Sequence, residues 1–323
     1  MKSIKMRWAI NAALKEEMDR DEKVFLAGED VGVGGGVFGV TKGLFEQFGR
    51  LRVVNTPLSE EAVGGLAVGA AMAGYRPIIE IMFMDFTAIA MDQICNQAAK
   101  SRFLYGGQVK LPIVVRTMFG TGLRAGGHHS QSLEAWFMHT PGLKVVMPAT
   151  PYDAKGLLSS AIRDDNPVIF MEHKALYSLS GEVPEGQYVI PLGEADIKRP
   201  GRDVTIVATG RMVHTALAAA DELALDAIEA EVVDPRTIYP LDKRTILSSV
   251  QKTNHLVIIQ EAPKICGFAA EVAAMVAEEA ADFLDAPIKR LSFPFMPVPF
   301  GEIEDSFIPQ KSDLVKAVKE VIA

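Results

Sequence analysis

Short apolar runs rich in β-branched residues recur along the chain, with stretches of helical period between them. The series reads KVFLAGED then TKGLFEQF, RVVN then EEAVGGLAVGAAMA, and RPIIEIMF then TAIAMDQICNQAAKSRF. It continues with LPIVVRTM, LKVVMPA then PYDAKGLLSSAIRDD, and PVIFMEH. None of the strand-like runs alternates apolar with polar positions, as strands buried on both faces of a helix-covered parallel sheet would not. The pattern predicts an α/β fold.

From Ser180 to Arg202 the text changes to SGEVPEGQYVIPLGEADIKRPGR, whose Gly, Pro and charge suit a surface linker. A second series follows: DVTIVATG, a helix from about Met212 to Leu225, AEVVDPRTIYPL, TILSSVQKT, HLVIIQEAP, FAAEVAAMVAEEAADFL and PIKRLSF. The expectation is two doubly wound α/β domains, 1–185 and 203–323, joined by a linker over 186–202. A length of 323 residues agrees with two domains at roughly 150 residues each.

Composition narrows the function classes. The chain is 49% hydrophobic and 23% charged with a net charge of -8, which leaves no basic footprint for nucleic acid. The amphipathic, charge-mixed start lacks the apolar core of a secretory signal, so the cytoplasm is expected. The apolar run Ala62 to Ala73 is about half of the roughly 20 residues a membrane span needs. Cys95 and Cys266 stand far apart without metal or redox spacing and are expected to be core thiols.

Three stretches carry candidate chemistry. Gly34-x-Gly36-x-x-Gly39 matches a dinucleotide fingerprint, but Glu29 and Asp30 separate it from its strand, and the next strand ends in Asn55 rather than an acid. In NTPLSEEAVGGLAVGAAMAG, Thr56 as N-cap and Pro57 at the first helical position would place Ser59, Glu60 and Glu61 in the first turn, near the positive end of the dipole. Capping alone explains both acids. Gly64, Gly65 and Gly69, however, cost a helix roughly 1 kcal/mol each and call for close packing, which would bury one glutamate and let it keep its proton.

The third stretch, GTGLRAGGHHSQSLEAWFMHTPG, carries His128, His129 and Ser130 in a glycine-rich loop, then a short helix with Glu134. It offers neither a metal spacing nor a hydrolase elbow, leaving a substrate-binding histidine or a structural pair, one histidine in a cleft and the other outside. Phe83 and Phe86 follow the third strand, where doubly wound sheets bind ligands, although core packing would also explain them. No phosphate-cradling loop is evident.

Taken together, GEDVG…FGVTKGL, NTPLSE, GAAMAGYRPIIEIMFMDF, DQICNQAAK, HHSQSLEAWFMHTPGLKVVMP, PYDAKGLLSSAIRDDNPV and DPRTIYPLD resemble the β subunit of the thiamine-diphosphate-dependent component of 2-oxo acid dehydrogenase complexes. That family includes pyruvate, branched-chain and acetoin dehydrogenases. The resemblance runs over nearly the whole chain. It implies a transketolase-like pyrimidine-binding domain, a transketolase C-terminal domain and an α2β2 assembly whose α subunit holds the diphosphate and magnesium. The acyl product would pass to a lipoyl group on a partner acyltransferase.

By the same resemblance, Glu60 hydrogen-bonds the aminopyrimidine ring, Phe86 packs against it and Glu29 lies near it. His129 stands by the substrate and the lipoyl group. His128 departs from the glutamine of many relatives, which leaves the fine substrate contacts open. A structural potassium ion would be held by backbone oxygens of Ile113, Ala161, Ile162, Asp164 and Asn166. The rival readings are a nicotinamide-dependent oxidoreductase using the Gly34 to Gly39 loop, and a non-catalytic scaffold subunit.

Overall fold

The computed structural model describes residues 1–323, which divide into two compact units: Met1–Phe119 with Trp136–Leu192, and Gly120–Ala135 with Gly193–Ala323. The elements of the first half of the chain are β1 (Lys2–Lys5), α1 (Met6–Arg20), β2 (Val24–Gly28), α2 (Leu44–Phe48), β3 (Val53–Asn55), α3 (Glu60–Met72) and β4 (Arg76–Ile81). A π-helical stretch, Asp92–Ala98, then runs into α4 (Ala99–Leu104). After it come β5 (Val114–Phe119), α5 (Glu134–Met138), β6 (Lys144–Val146), α6 (Pro151–Arg163), β7 (Val168–His173) and β8 (Ser180–Val183).

In the first unit the strands pair in the order β6-β7-β5-β4-β2-β3, all parallel. Alternate residues serve opposite faces. Val24, Leu26, Ile78, Val114, Val168 and Phe170 join one core cluster with Ile10, Leu14 and Met18 of α1 and Leu157, Leu158 and Ile162 of α6. Each such side chain contributes roughly 1.5–3 kcal/mol by burial. Helix α6 starts where its sequence says it should, with Thr150 accepting from the Asp153 amide and Pro151 in the first turn. On the other side α3 packs on β2 and β4.

The chain passes from β2 to β3 on one side, then returns across β2 to place β4 on the other. The resulting switch point between β2 and β4 opens a crevice at the carboxyl ends of the strands.

The second unit contains β9 (Asp196–Arg199), β10 (Val204–Ala208), α7 (Met212–Ala224), β11 (Ala230–Asp234), β12 (Thr237–Tyr239), α8 (Lys243–Thr253), β13 (Leu256–Pro263), α9 (Phe268–Glu279), β14 (Lys289–Phe293) and α10 (Lys311–Ile322). Its sheet runs β14-β13-β10-β11-β9, parallel except at the edge strand β9. The Gly- and Pro-rich stretch from Ser180 to Arg202 thus supplies two strands, β8 against β1 and β9 against β11.

Two local expectations change. Helix α3 begins at Glu60 with Ser59 as its N-cap, not at Pro57. The Thr56 amide donates to the Gly28 carbonyl, which holds Thr56 to the end of β2. Cys266 is exposed, in a left-handed turn after β13, and Cys95 is partly buried, so neither is a core thiol.

Candidate active site

Three of the expected residues follow neighbouring strands at the carboxyl edge of the first sheet. Glu29 directly follows β2, Glu60 opens the helix after β3, and Phe86 lies in the single 3-10 turn (Met84–Ala88) after β4. These strands are neighbours in the sheet, so chain order alone carries the three side chains to the switch point.

Glu29 is buried, and one of its carboxyl oxygens makes no hydrogen bond. Burial pushes its carboxyl up, the nearby negative charge of Glu60 adds to the rise, and a bond from the Ser59 amide opposes it. Glu60 is therefore close enough for its charge to act on Glu29. Glu60 is half-buried in the first turn of α3, where the helix dipole favours its charge, while Glu61 faces solvent. Phe86 is half-exposed and meets Phe83 edge-on at 5.9 Å, and Phe83 in turn meets Phe38 at 6.0 Å.

Under this edge lies a buried charge network. Arg116 of β5 donates to Glu80 of β4 at 2.5 Å and to both oxygens of Glu172 of β7 at 2.6 and 2.8 Å, and the Tyr177 hydroxyl donates to Glu172. Arg116, Glu80 and Glu172 are at most 4% exposed. Burial pushes the Glu80 carboxyl up against the pull of Arg116, whose two partners keep the guanidinium charged. The sequence does carry a signal for this network: one Glu or Arg in each of three mostly apolar strands, IIEIM, VVRTM and IFMEH.

The glycine loop is closed on itself. Gly36 donates to the Asp30 carbonyl, Thr41 to that of Gly35, and the Thr41 hydroxyl to that of Val31. Asn55, where the fingerprint wants a ribose-binding acid, accepts from the Gly32 amide. The next helix starts only at Leu44, five residues beyond Gly39, so no helix N-terminus opens at the glycines. The loop lacks the strand-turn-helix form of a nicotinamide site.

The histidine loop belongs to the second unit. His128 is exposed and His129 half-buried, its amide donating to the Gly126 carbonyl. Two buried glutamates absent from the expected set anchor the loop. Glu261 accepts from the Thr121 amide and hydroxyl at 2.5 and 2.8 Å, and Glu304 from the Gly122 amide at 2.6 Å.

Cationic side chains already engage several of the residues expected to hold potassium. Arg76 donates to the carbonyls of Ile162 and Asp164 at 2.9 and 2.6 Å, and Lys144 pairs with the Asp164 carboxylate. The carbonyl of Ile113 accepts from Val168 and that of Ala161 from Asp164.

Glycine 64 explains part of the small-residue helix. A Cβ there would stand 2.8 Å from the Gln93 side chain, whereas Gly69 has nothing within 4 Å. The close approach is thus local to the π-helical stretch. The other side of the helix, with Ala62, Leu66, Gly69 and Met72, is exposed.

Comparison with known proteins decides the family. Residues 2–180 match the transketolase pyrimidine-binding domain and residues 193–314 the transketolase C-terminal domain. The chain is 51% identical to the β subunit of acetoin:2,6-dichlorophenolindophenol oxidoreductase of Bacillus subtilis, over 99% of this chain and 97% of that one. The chain belongs to the β subunits of the thiamine-diphosphate-dependent 2-oxo acid and acetoin dehydrogenases.

Two other Bacillus subtilis β subunits of this family are of similar identity. The 2-oxoisovalerate dehydrogenase chain is 50% identical over 98% of this chain and 97% of its own, and the pyruvate dehydrogenase chain 47% over 100% and 99%. In fold, the β subunit matches a split-gene transketolase, an inactive β4 tetramer, with a TM-score of 0.81 at 24% identity over 99% of this chain and 98% of that one. The transketolase-like α/β architecture is therefore shared.

The donor set fits one half of the cofactor. Two neighbouring carboxyls, one of them with an unsatisfied buried oxygen, and a half-exposed aromatic ring at the end of the adjoining strand suit a flat aminopyrimidine with its ring nitrogen and amino group. No group of three or more His, Cys, Asp or Glu side chains could hold a metal ion. No helix is long and apolar enough to cross a membrane.

Proposed function

We propose that this β subunit supplies the pyrimidine side of a thiamine diphosphate site that an α subunit completes with the diphosphate and magnesium contacts, in a cytoplasmic α2β2 enzyme. The substrate class is a 2-oxo acid or acetoin, and the acyl product passes to a lipoyl group of a partner acyltransferase. The observation that carries this reading is the Glu29–Glu60 carboxyl pair at the switch point, with no phosphate cradle beside it. Thiamine diphosphate, when bound, supplies the electron sink for cleaving the bond beside a carbonyl.

The chain's own residues bind and move protons. Glu60 hydrogen-bonds the pyrimidine ring nitrogen and shares a proton with it. Glu29, buried and raised, sets the charge of that pair. Phe86 offers its ring to the pyrimidine face and excludes water from it. His129 is the hydrogen-bonding and proton-transfer group toward the substrate and lipoyl group, and His128 stays in solvent.

The exposed apolar groups of α3 and of Phe103 and Leu104, 88% and 70% exposed, support burial against other chains. Activity toward pyruvate, 2-oxoisovalerate and acetoin, measured with thiamine diphosphate and magnesium, is expected only when the α subunit is co-expressed. The preferred compound names the substrate. Full activity from this chain alone would overturn the split site.

A potassium ion at Ile113, Ala161, Ile162, Asp164 and Asn166 would use the remaining lone pairs of carbonyls that Arg76, Asp164 and Val168 already engage. Replacing potassium by choline at constant ionic strength is expected to lower Tm by a few degrees, about 1 kcal/mol. An unchanged Tm would mean that Arg76 and Lys144 suffice.

A further inference from the structure

Glu134 opens α5 five residues after His129. Its side chain is 1% exposed, and one carboxyl oxygen makes no hydrogen bond. Burial pushes the carboxyl up to about 7; its own amide opposes the rise and the charge of Glu261 adds to it. Glu261, on β13, is the ionisable group that acts on Glu134.

The geometry ties this pair to the histidine loop. Glu261 clamps Thr121, at the start of the loop, by both its amide and its hydroxyl. At the other end Ser130, 1% exposed, places an unpartnered hydroxyl on a cavity of about 60 Å³, which it lines with Thr121, Ser132, Glu261 and Phe293. Glu261 therefore joins the two ends of the loop, and its charge reaches Glu134.

We propose that Glu134 is a positioning residue: neutral, it lets Glu261 keep its clamp on Thr121 and holds the loop that carries His129; ionised, it sets a second buried negative charge beside Glu261 and loosens that clamp. The sign follows from the direction of the shift. The raised carboxyl favours the anchored loop while protonated, an advantage complete below the ordinary carboxyl range and lost as pH rises through about 7.

The test uses the assembled enzyme. Amide hydrogen exchange over residues 120–133, corrected for intrinsic rates, is expected to rise up to about tenfold between pH 6 and 8.5, with a midpoint near neutrality. Glu134→Gln, which cannot ionise, is expected to stay in the slow regime throughout and to lose the matching alkaline fall in kcat/KM. The same transition in Glu134→Gln would overturn the proposal.

Should that variant fail to fold, infrared difference spectra of the wild type between the same pH values decide. A buried carboxylic acid band that disappears on the same midpoint as the exchange transition supports the proposal; its absence refutes it. The kinetic arm rests on the proposed role of His129. An exchange transition without a kinetic one would count against that role and leave the Glu134 device standing.

Discussion

Glu60→Gln in the assembled enzyme is expected to lower kcat by about 10²–10⁴-fold, the range for losing one acid-base group. Glutamine keeps the size and one hydrogen bond but cannot share a proton with a ring nitrogen. Stability should barely move, because the half-buried side chain contributes about 0.3–1 kcal/mol at the helix N-terminus. Removing the Glu60 charge also removes one of the causes that raise Glu29, so the Glu29 carboxyl should lose its proton at lower pH than in the wild type. Glu61→Gln, on the exposed side of the same turn, is the control and should leave kcat unchanged. A kcat within twofold of wild type for Glu60→Gln would remove Glu60 from the acid-base role.

The second large effect is structural. Arg116→Met leaves Glu80 and Glu172 buried without their cation, and breaking a buried pair in this way costs about 3–5 kcal/mol. For a unit of this size the Tm should fall by on the order of 10 °C. The loss should deepen as pH rises, because Glu80, whose carboxyl burial already pushes up, then has to ionise inside the sheet without its cation. The triple variant Glu80→Gln, Arg116→Met, Glu172→Gln should recover most of the stability, since replacing a buried ion cluster as a whole is often neutral. Denaturant melts at pH 5.5 and 8 separate these outcomes. A single variant as stable as wild type at both pH values would show that water reaches the network.

The strands and helices were legible because unalternating apolar runs between helical patterns leave little choice but a covered parallel sheet. Glu29, Glu60 and Phe86 could be singled out from the motifs, and their placement at the ends of neighbouring strands follows from strand order. The start of α3 was not legible. Thr56 and Pro57 have the chemistry of a helix opening, but the bond from Thr56 to Gly28 and the bond from Ser59 to Glu29 extend the chain up to Ser59. A tertiary contact there outweighs local capping preference.

Nor could the anchors of the histidine loop be read in advance. Glu261 and Glu304 lie 140 and 182 positions from the amides they hold, and a single acid after an apolar strand carries no mark of its partner. Arg116 differs, since a lone charge in each of three buried strands is visible in sequence and asks for a partner before any coordinates exist.

The chain enters the second unit at Gly120, leaves it after Ala135 and returns at Gly193. Its two units are therefore not separable genetic modules. A gene cut at the obvious boundary would give an amino-terminal fragment that carries residues 120–135 but neither Glu261 nor Glu304 to fold them against, and that segment would be the first target of a protease. For the same reason, transferring the carboxyl-terminal half to another protein would carry the anchors Glu261 and Glu304 away from the loop they hold and leave His129 behind.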